Sequence, residues 1–168
     1  MFKHQKTALI AGSLLLIFSL VVLAGSPLAL AEENDFDELG TLSFKMEGTW
    51  EEKQAEFWYR FKNIGTEKEL FRMDATVLET EKTMSLILAK ENETAFIKQM
   101  GSKTWHENSM MFSRSWDQAR ADISNLGSVE DWHEWAKQEE HIIEDEEHSV
   151  RVWDIKVDEP IEDSVFNP

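Results

Sequence analysis

Three histidines, His133, His141 and His148, lie in the most acidic stretch of the chain. Around them are Glu130, Asp131, Glu134, Glu139, Glu140, Glu144, Asp145, Glu146 and Glu147, with Lys137 as the one basic counterweight. Carboxylate oxygens at that density suit calcium or magnesium. The spacing does not build a site, however. His133 and His141 are eight positions apart, not the three or four that stack ligands on adjacent helical turns, and there is no Asp-x-Asp-x-Asp-Gly loop. The stretch therefore reads as a solvated helix face and connecting loop. Cysteine is absent, which excludes a disulfide framework, thiolate metal sites and a cysteine nucleophile. No serine occupies Gly-x-Ser-x-Gly, and no glycine-rich phosphate loop occurs. His106 follows Trp105 on a predicted strand, where it faces solvent or caps the core. No residue set calls for a metal or cofactor, and the chain is expected not to be an enzyme. Asn92-Glu93-Thr94 is a glycosylation sequon in a predicted turn.

The 168 residues include 33 acidic and 17 basic ones, for a formal net charge of −16. Residues 1–31 contain Lys3 and Lys6 and no acid, so the other 137 residues set 15 basic groups against all 33 acids. Phosphate recognition rests on Lys and Arg, so a nucleic-acid partner is not expected. Eighteen aromatic residues supply enough core material for one folded domain.

Residues 1–31 have the three parts of an export signal. Lys3, His4 and Lys6 are followed by the apolar run Thr7–Ala24, the helix break Gly25-Ser26-Pro27 and the small residues of Ala29-Leu30-Ala31. Cleavage before Glu32 is expected, leaving residues 32–168 as a single exported domain in the periplasm or at the cell exterior. The apolar run is also long enough to serve as a retained membrane anchor.

After Glu32–Leu39, a short acidic stretch expected to be a flexible lead-in, hydrophobicity alternates with period two, the mark of half-buried strands. Leu42, Phe44, Met46 and Trp50 share one face; then come Phe57, Tyr59 and Phe61, followed by Phe71, Met73, Ala75 and Val77, and by Met84, Leu86 and Leu88. Thr94–Met100 and Lys103–His106 read as a hairpin about Gly101-Ser102. Short polar turns between six consecutive strands require an antiparallel meander. The period then lengthens. Phe112, Trp116, Ala119, Ile123 and Leu126 form a helical stripe that Gly127 ends, and Ser128 starts a second helix bearing Val129, Trp132, Trp135 and Ala136. A final strand, Ser149–Val157, returns to the sheet before the tail Asp158–Pro168. The expected class is α+β, a curved antiparallel sheet with two adjacent helices on it.

Phe57-Trp58-Tyr59-Arg60-Phe61-Lys62-Asn63-Ile64-Gly65-Thr66, Phe71-Arg72-Met73-Asp74 and the closing strand and tail from Val152 to Phe166 resemble the outer-membrane lipoprotein-sorting family and its relatives. That resemblance implies an incomplete β-barrel, apolar within, with the helices as a lid. It further implies a non-catalytic carrier of lipids, acyl chains or lipidated envelope proteins. The chain is shorter than those carriers. On this reading Phe44, Met46, Phe57, Tyr59, Phe61, Phe71, Met73, Leu86, Leu88, Trp116 and Trp132 line an apolar cavity, since Met and Phe walls adapt to a flexible acyl guest. The same residues also suffice for an ordinary packed core. The partner expected first is thus a lipid or acyl chain, and after it an envelope lipoprotein or membrane protein. A different class, a structural or interaction module of the envelope with an acidic, cation-binding face, fits the charge pattern. Arg72 and Asp74, two apart on one strand face, are expected to pair with each other or with neighbouring strands.

Overall fold

A computed structural model describes residues 35–144 and 149–168. The export signal, its cleavage point and Asp145–His148 lie outside the described residues. The strands are β1 (Thr41–Trp50), β2 (Lys53–Lys62), β3 (Leu70–Val77), β4 (Lys82–Ala89), β5 (Thr94–Lys98) and β6 (His106–Glu107), then β7 (Glu140–Glu144) and β8 (Ser149–Val157). The helices are α1 (Phe112–Leu126) and α2 (Val129–Trp135). All strands pair antiparallel in one open sheet of order β6-β5-β4-β3-β2-β1-β8-β7. The α+β class and the curved, unclosed sheet are as the alternation requires.

Register carries the apolar alternation straight across the sheet. Phe44 lies opposite Tyr59, Tyr59 opposite Met73, Met73 opposite Leu86, and Leu86 opposite Ile97. Both helices pack on this inner face, with Phe112, Ala119, Ile123 and Leu126 of α1 and Trp132 and Trp135 of α2 buried in the same cluster. Where β1 meets β8, Ser43 pairs with Lys156 but Lys45 with Trp153, so one extra β8 residue is accommodated, and Asp154 takes a positive φ of 51°. Such a bulge bends its strand and adds twist.

Local chemistry explains the boundaries. Ser128 starts α2 with a capping box: its hydroxyl accepts from the Asp131 amide and the Asp131 carboxylate accepts from the Ser128 amide. Gly127 is extended, and it is needed for close approach, since a Cβ there would lie 2.5 Å from the Trp135 ring. The turn after β2 uses Asn63 at φ 56° and Gly65 at φ 76°, with the Gly65 Cα facing the Asp37 carbonyl.

Three sequence expectations need correction. Lys103–His106 contributes only the end of a short edge strand, His106–Glu107, because residues 99–105 form a longer loop than a tight Gly-Ser turn. Glu140–Glu144 is not connecting loop but strand β7, paired along its whole length with β8; its alternation is visible only as His141 and Ile143 against Glu140, Ile142 and Glu144. The lead-in is not a loose arm from Asp35 onward, since Asp35–Glu38 is a 3-10 turn that buries Phe36 and Leu39 in the core.

Candidate functional site

The eleven residues expected to line a cavity do converge on the inner face. Phe44, Met46, Phe57, Phe61, Phe71, Met73, Leu86, Leu88 and Trp132 are buried there, and Tyr59 and Trp116 are half-buried at its margin. Much of the set is in ring-to-ring contact. Phe44 stacks on Tyr59 at 5.0 Å and meets Trp132 at 4.7 Å, while Phe71 meets Phe61 at 4.7 Å. At such separations aromatic rings are each other's packing partners. This part of the inner face is filled by the protein itself.

The margin differs. Trp50, Tyr59, Met100, Met111, Trp116 and Val129 pack on the core yet stay partly exposed. Trp116 is held against Phe112 at 5.4 Å. Asp122 is half-buried on α1, next to the buried Ile123, and its described hydrogen bond is from the Gln118 amide at 2.6 Å. Burial pushes its carboxyl up to about 6, against the pull of Gln118. Tyr59 is held well above the ordinary phenol range, first by burial and then by the nearby Asp122. Among the described residues no cation pairs with Asp122. A half-buried carboxyl without a described countercharge, near a phenol, is a place where a polar end of an amphipathic molecule can bind. Asp122 was hidden in the sequence because a lone acid between Ala121 and Ile123 looks like any helix surface residue.

A second ionic feature fixes α1. Arg120 pairs with Glu69 at 2.8 Å and with Asp37, and its guanidinium lies 4.7 Å from the Phe36 ring centre. The Glu69 side chain is 1 % exposed; burial raises its carboxyl, and Arg120 and the Gly65 amide oppose that shift. The helix, the β2–β3 turn and the N-terminal 3-10 turn are thereby tied together.

The acidic stretch disperses. Asp131 caps α2, Glu140 faces Arg151 at 3.4 Å, and His141 stacks on Trp135 at 4.4 Å. Among the described residues no three His, Asp or Glu side chains converge as metal ligands. Among them, too, no helix is long and apolar enough to cross a membrane.

Arg72 and Asp74 pair as the strand spacing requires, with Nε to Oδ2 at 2.9 Å and Nη2 to Oδ1 at 3.0 Å. Arg60 reaches the same carboxylate from β2. Comparison with family models, curated proteins and solved structures finds no match to this chain.

Proposed function

We propose that this protein is a non-catalytic, extracytoplasmic binding protein that accommodates an acyl chain or other lipid at the margin of the inner sheet face. What supports this reading is the half-buried Asp122 carboxyl near Tyr59, on a core against which Trp50, Met100, Met111 and Trp116 pack while staying partly exposed. An acyl chain would lie along the Trp and Met side chains, with a hydroxyl, amide or amine of its head on Asp122 and Tyr59. Exposed apolar surface of this kind is where ligand or partner contact is expected in a monomer. Native mass spectrometry of protein purified from its own envelope should find bound lipid, and a hydrophobic dye should be displaced by added fatty acid. Lipid-free protein that binds no dye would sink this reading.

The second reading, an interaction module of the cell envelope, is favoured by the ring contacts that fill the centre of the inner face. Its mark is a partner protein captured without bound lipid. The cation-binding version of it has less support, because the acidic groups are dispersed among caps and ion pairs.

A further inference from the structure

Helix α1 has two flanks, and they are closed differently. At the helical repeat, Phe112, Ala119, Ile123 and Leu126 point at the core. Arg120 stands to one side of that stripe. Met111, Ser115, Gln118 and Asp122 follow one another down the other side. The Arg120 flank is shut by ions, since the guanidinium reaches both Glu69 and Asp37. The opposite flank is polar without being neutralised. Ser115 is buried, Gln118 and Asp122 are half-buried, and the Gln118 amide donates to the Asp122 carboxylate. Met111, at the start of the row, packs on the core and stays partly exposed.

The other sheltered acids show what is missing. Among the described residues, Glu56, Glu69, Asp74, Asp122 and Asp131 are buried or half-buried. Glu56 has Lys45 at 3.3 Å, Glu69 has Arg120, and Asp74 has Arg60 and Arg72. Asp131 accepts from the Ser128 amide and hydroxyl in the α2 cap. Asp122 alone of the five has neither a described cation nor a cap. A carboxylate drawn partly out of water keeps its charge at least cost when a cation meets it.

We infer that the molecule bound along this row carries a cationic head, a primary or quaternary amine on a single alkyl chain, with the ammonium on Asp122 and the chain running toward Met111. This rests on the binding reading proposed above and names its ligand class. Eleven helical steps separate the two residues, a run of roughly 16 Å. Solvent still reaches Met111, Gln118 and Asp122, so the row is open to a ligand. Charge makes the selection. A carboxylate or phosphate head would meet Asp122 as a like charge on a chain of net charge −16, and a hydroxyl head would leave the carboxylate unneutralised.

Four probes with one alkyl chain separate the heads: dodecylamine, dodecyltrimethylammonium, dodecanol and dodecanoate. Each is titrated at pH 8, below its micelle concentration, to displace a neutral hydrophobic dye from the full protein. The two cations should bind roughly tenfold more tightly than dodecanoate, with dodecanol between them. Asp122→Asn should bring all four within about twofold of one another. Asp117→Asn removes the same charge from an exposed position of the same helix and should leave the preference intact. That control separates contact at Asp122 from the general pull of an acidic surface. A melting temperature no lower than the parent's shows that Asp122→Asn is folded; if it melts early, the probe series on the parent and on Asp117→Asn decides. Dodecanoate or dodecanol binding as tightly as the amines overturns the cationic class and leaves the lipid-binding reading standing. A preference that survives Asp122→Asn, or that Asp117→Asn abolishes, overturns the class as well. Failure of the dye and all four probes to bind overturns both.

Discussion

The two faces of the sheet are made from alternate residues of the same strands, yet they are closed in opposite ways. The inner face, with Phe44, Phe57, Phe71 and Leu88, is covered by two helices that contribute apolar side chains, and removal of hydrocarbon from water holds it. The outer face, with Arg60, Arg72, Asp74 and Ser85, is covered in part by an irregular tail that contributes carbonyl oxygens, one carboxylate and Phe166. Its burial rests on ion pairs and on cations against rings. Charged groups that give up water recover little beyond what they lose unless every partner is present. The inner face is therefore the source of stability, and the outer face is where losing a single partner leaves another group stranded.

Trp132→Ala tests the first half of that contrast most severely. Trp132 is fully buried and touches both Phe44 and Trp135. Its removal should cost about 4 kcal/mol in denaturant unfolding, the cost typical of truncating a large core aromatic. A variant nearly as stable as the parent would mean that the centre of the inner face is a cavity and not packing. On the outer face, Asp74→Ala leaves Arg60 and Arg72 side by side with no carboxylate. The expected loss is about 3 kcal/mol, the low end for breaking a buried pair because the group is 14 % exposed. Burial and the adjacent Arg72 already lower Arg60 to about 10.

The inner face was legible in the sequence because it is periodic. Leu42, Phe44 and Met46, or Phe71, Met73 and Ala75, need only the rule that alternate residues of a strand point the same way. Helix starts were legible for a similarly local reason, the Ser128 cap and the acids after it. The outer face was not, because its meaning depends on register: Arg60 and Asp74 are fourteen positions apart, and only the pairing of β2 with β3 brings them together. The same applies to Lys62 with Asp163 and Arg120 with Glu69. Strand β7 was missed because a short segment bounded by Glu140 and Glu144 within an acidic stretch resembles a solvated loop, although the β8 partner and the Trp135–His141 stack hold it. In the candidate site the apolar residues could be read from the pattern, whereas Asp122, the acid near Tyr59, could not.

Phe166→Ala separates the tail from the sheet beneath it. Burial of a phenylalanine is worth about 1.5–3 kcal/mol, and a chain end is free to relax, so a loss of about 2 kcal/mol is expected. Amide exchange should then accelerate from Ile161 to Val165 while β1 and β2 keep their protection. If protection were lost evenly across the sheet, the tail would be part of the core and the two faces would not differ in how they are closed.

The smallest expected effect has the opposite sign and falls on the inner face. Asp122 is raised from 3.8 to about 6, chiefly by burial. The folded state thus holds the proton more tightly than the unfolded chain between those two values. Stability must fall as pH rises through that window, and the penalty persists in full above it. Solvent reaches the group, so the penalty is on the order of 1 kcal/mol and not the larger value of a fully buried charge. Asp122→Asn keeps the shape and a hydrogen-bonding oxygen while removing the charge. It should raise stability by about 1 kcal/mol at pH 8, leave it unchanged at pH 4, and flatten the unfolding profile between them. A residue that lowers stability at neutral pH needs another reason to be where it is. If Asp122 receives the polar end of a ligand, the stabilised variant should bind an amine-headed amphiphile more weakly than the parent at pH 8, and the difference should vanish near pH 4. A variant that gains stability and binds that amphiphile unchanged would leave the carboxyl as a mere cost, and would move the ligand contact away from the margin around Trp116 and Tyr59.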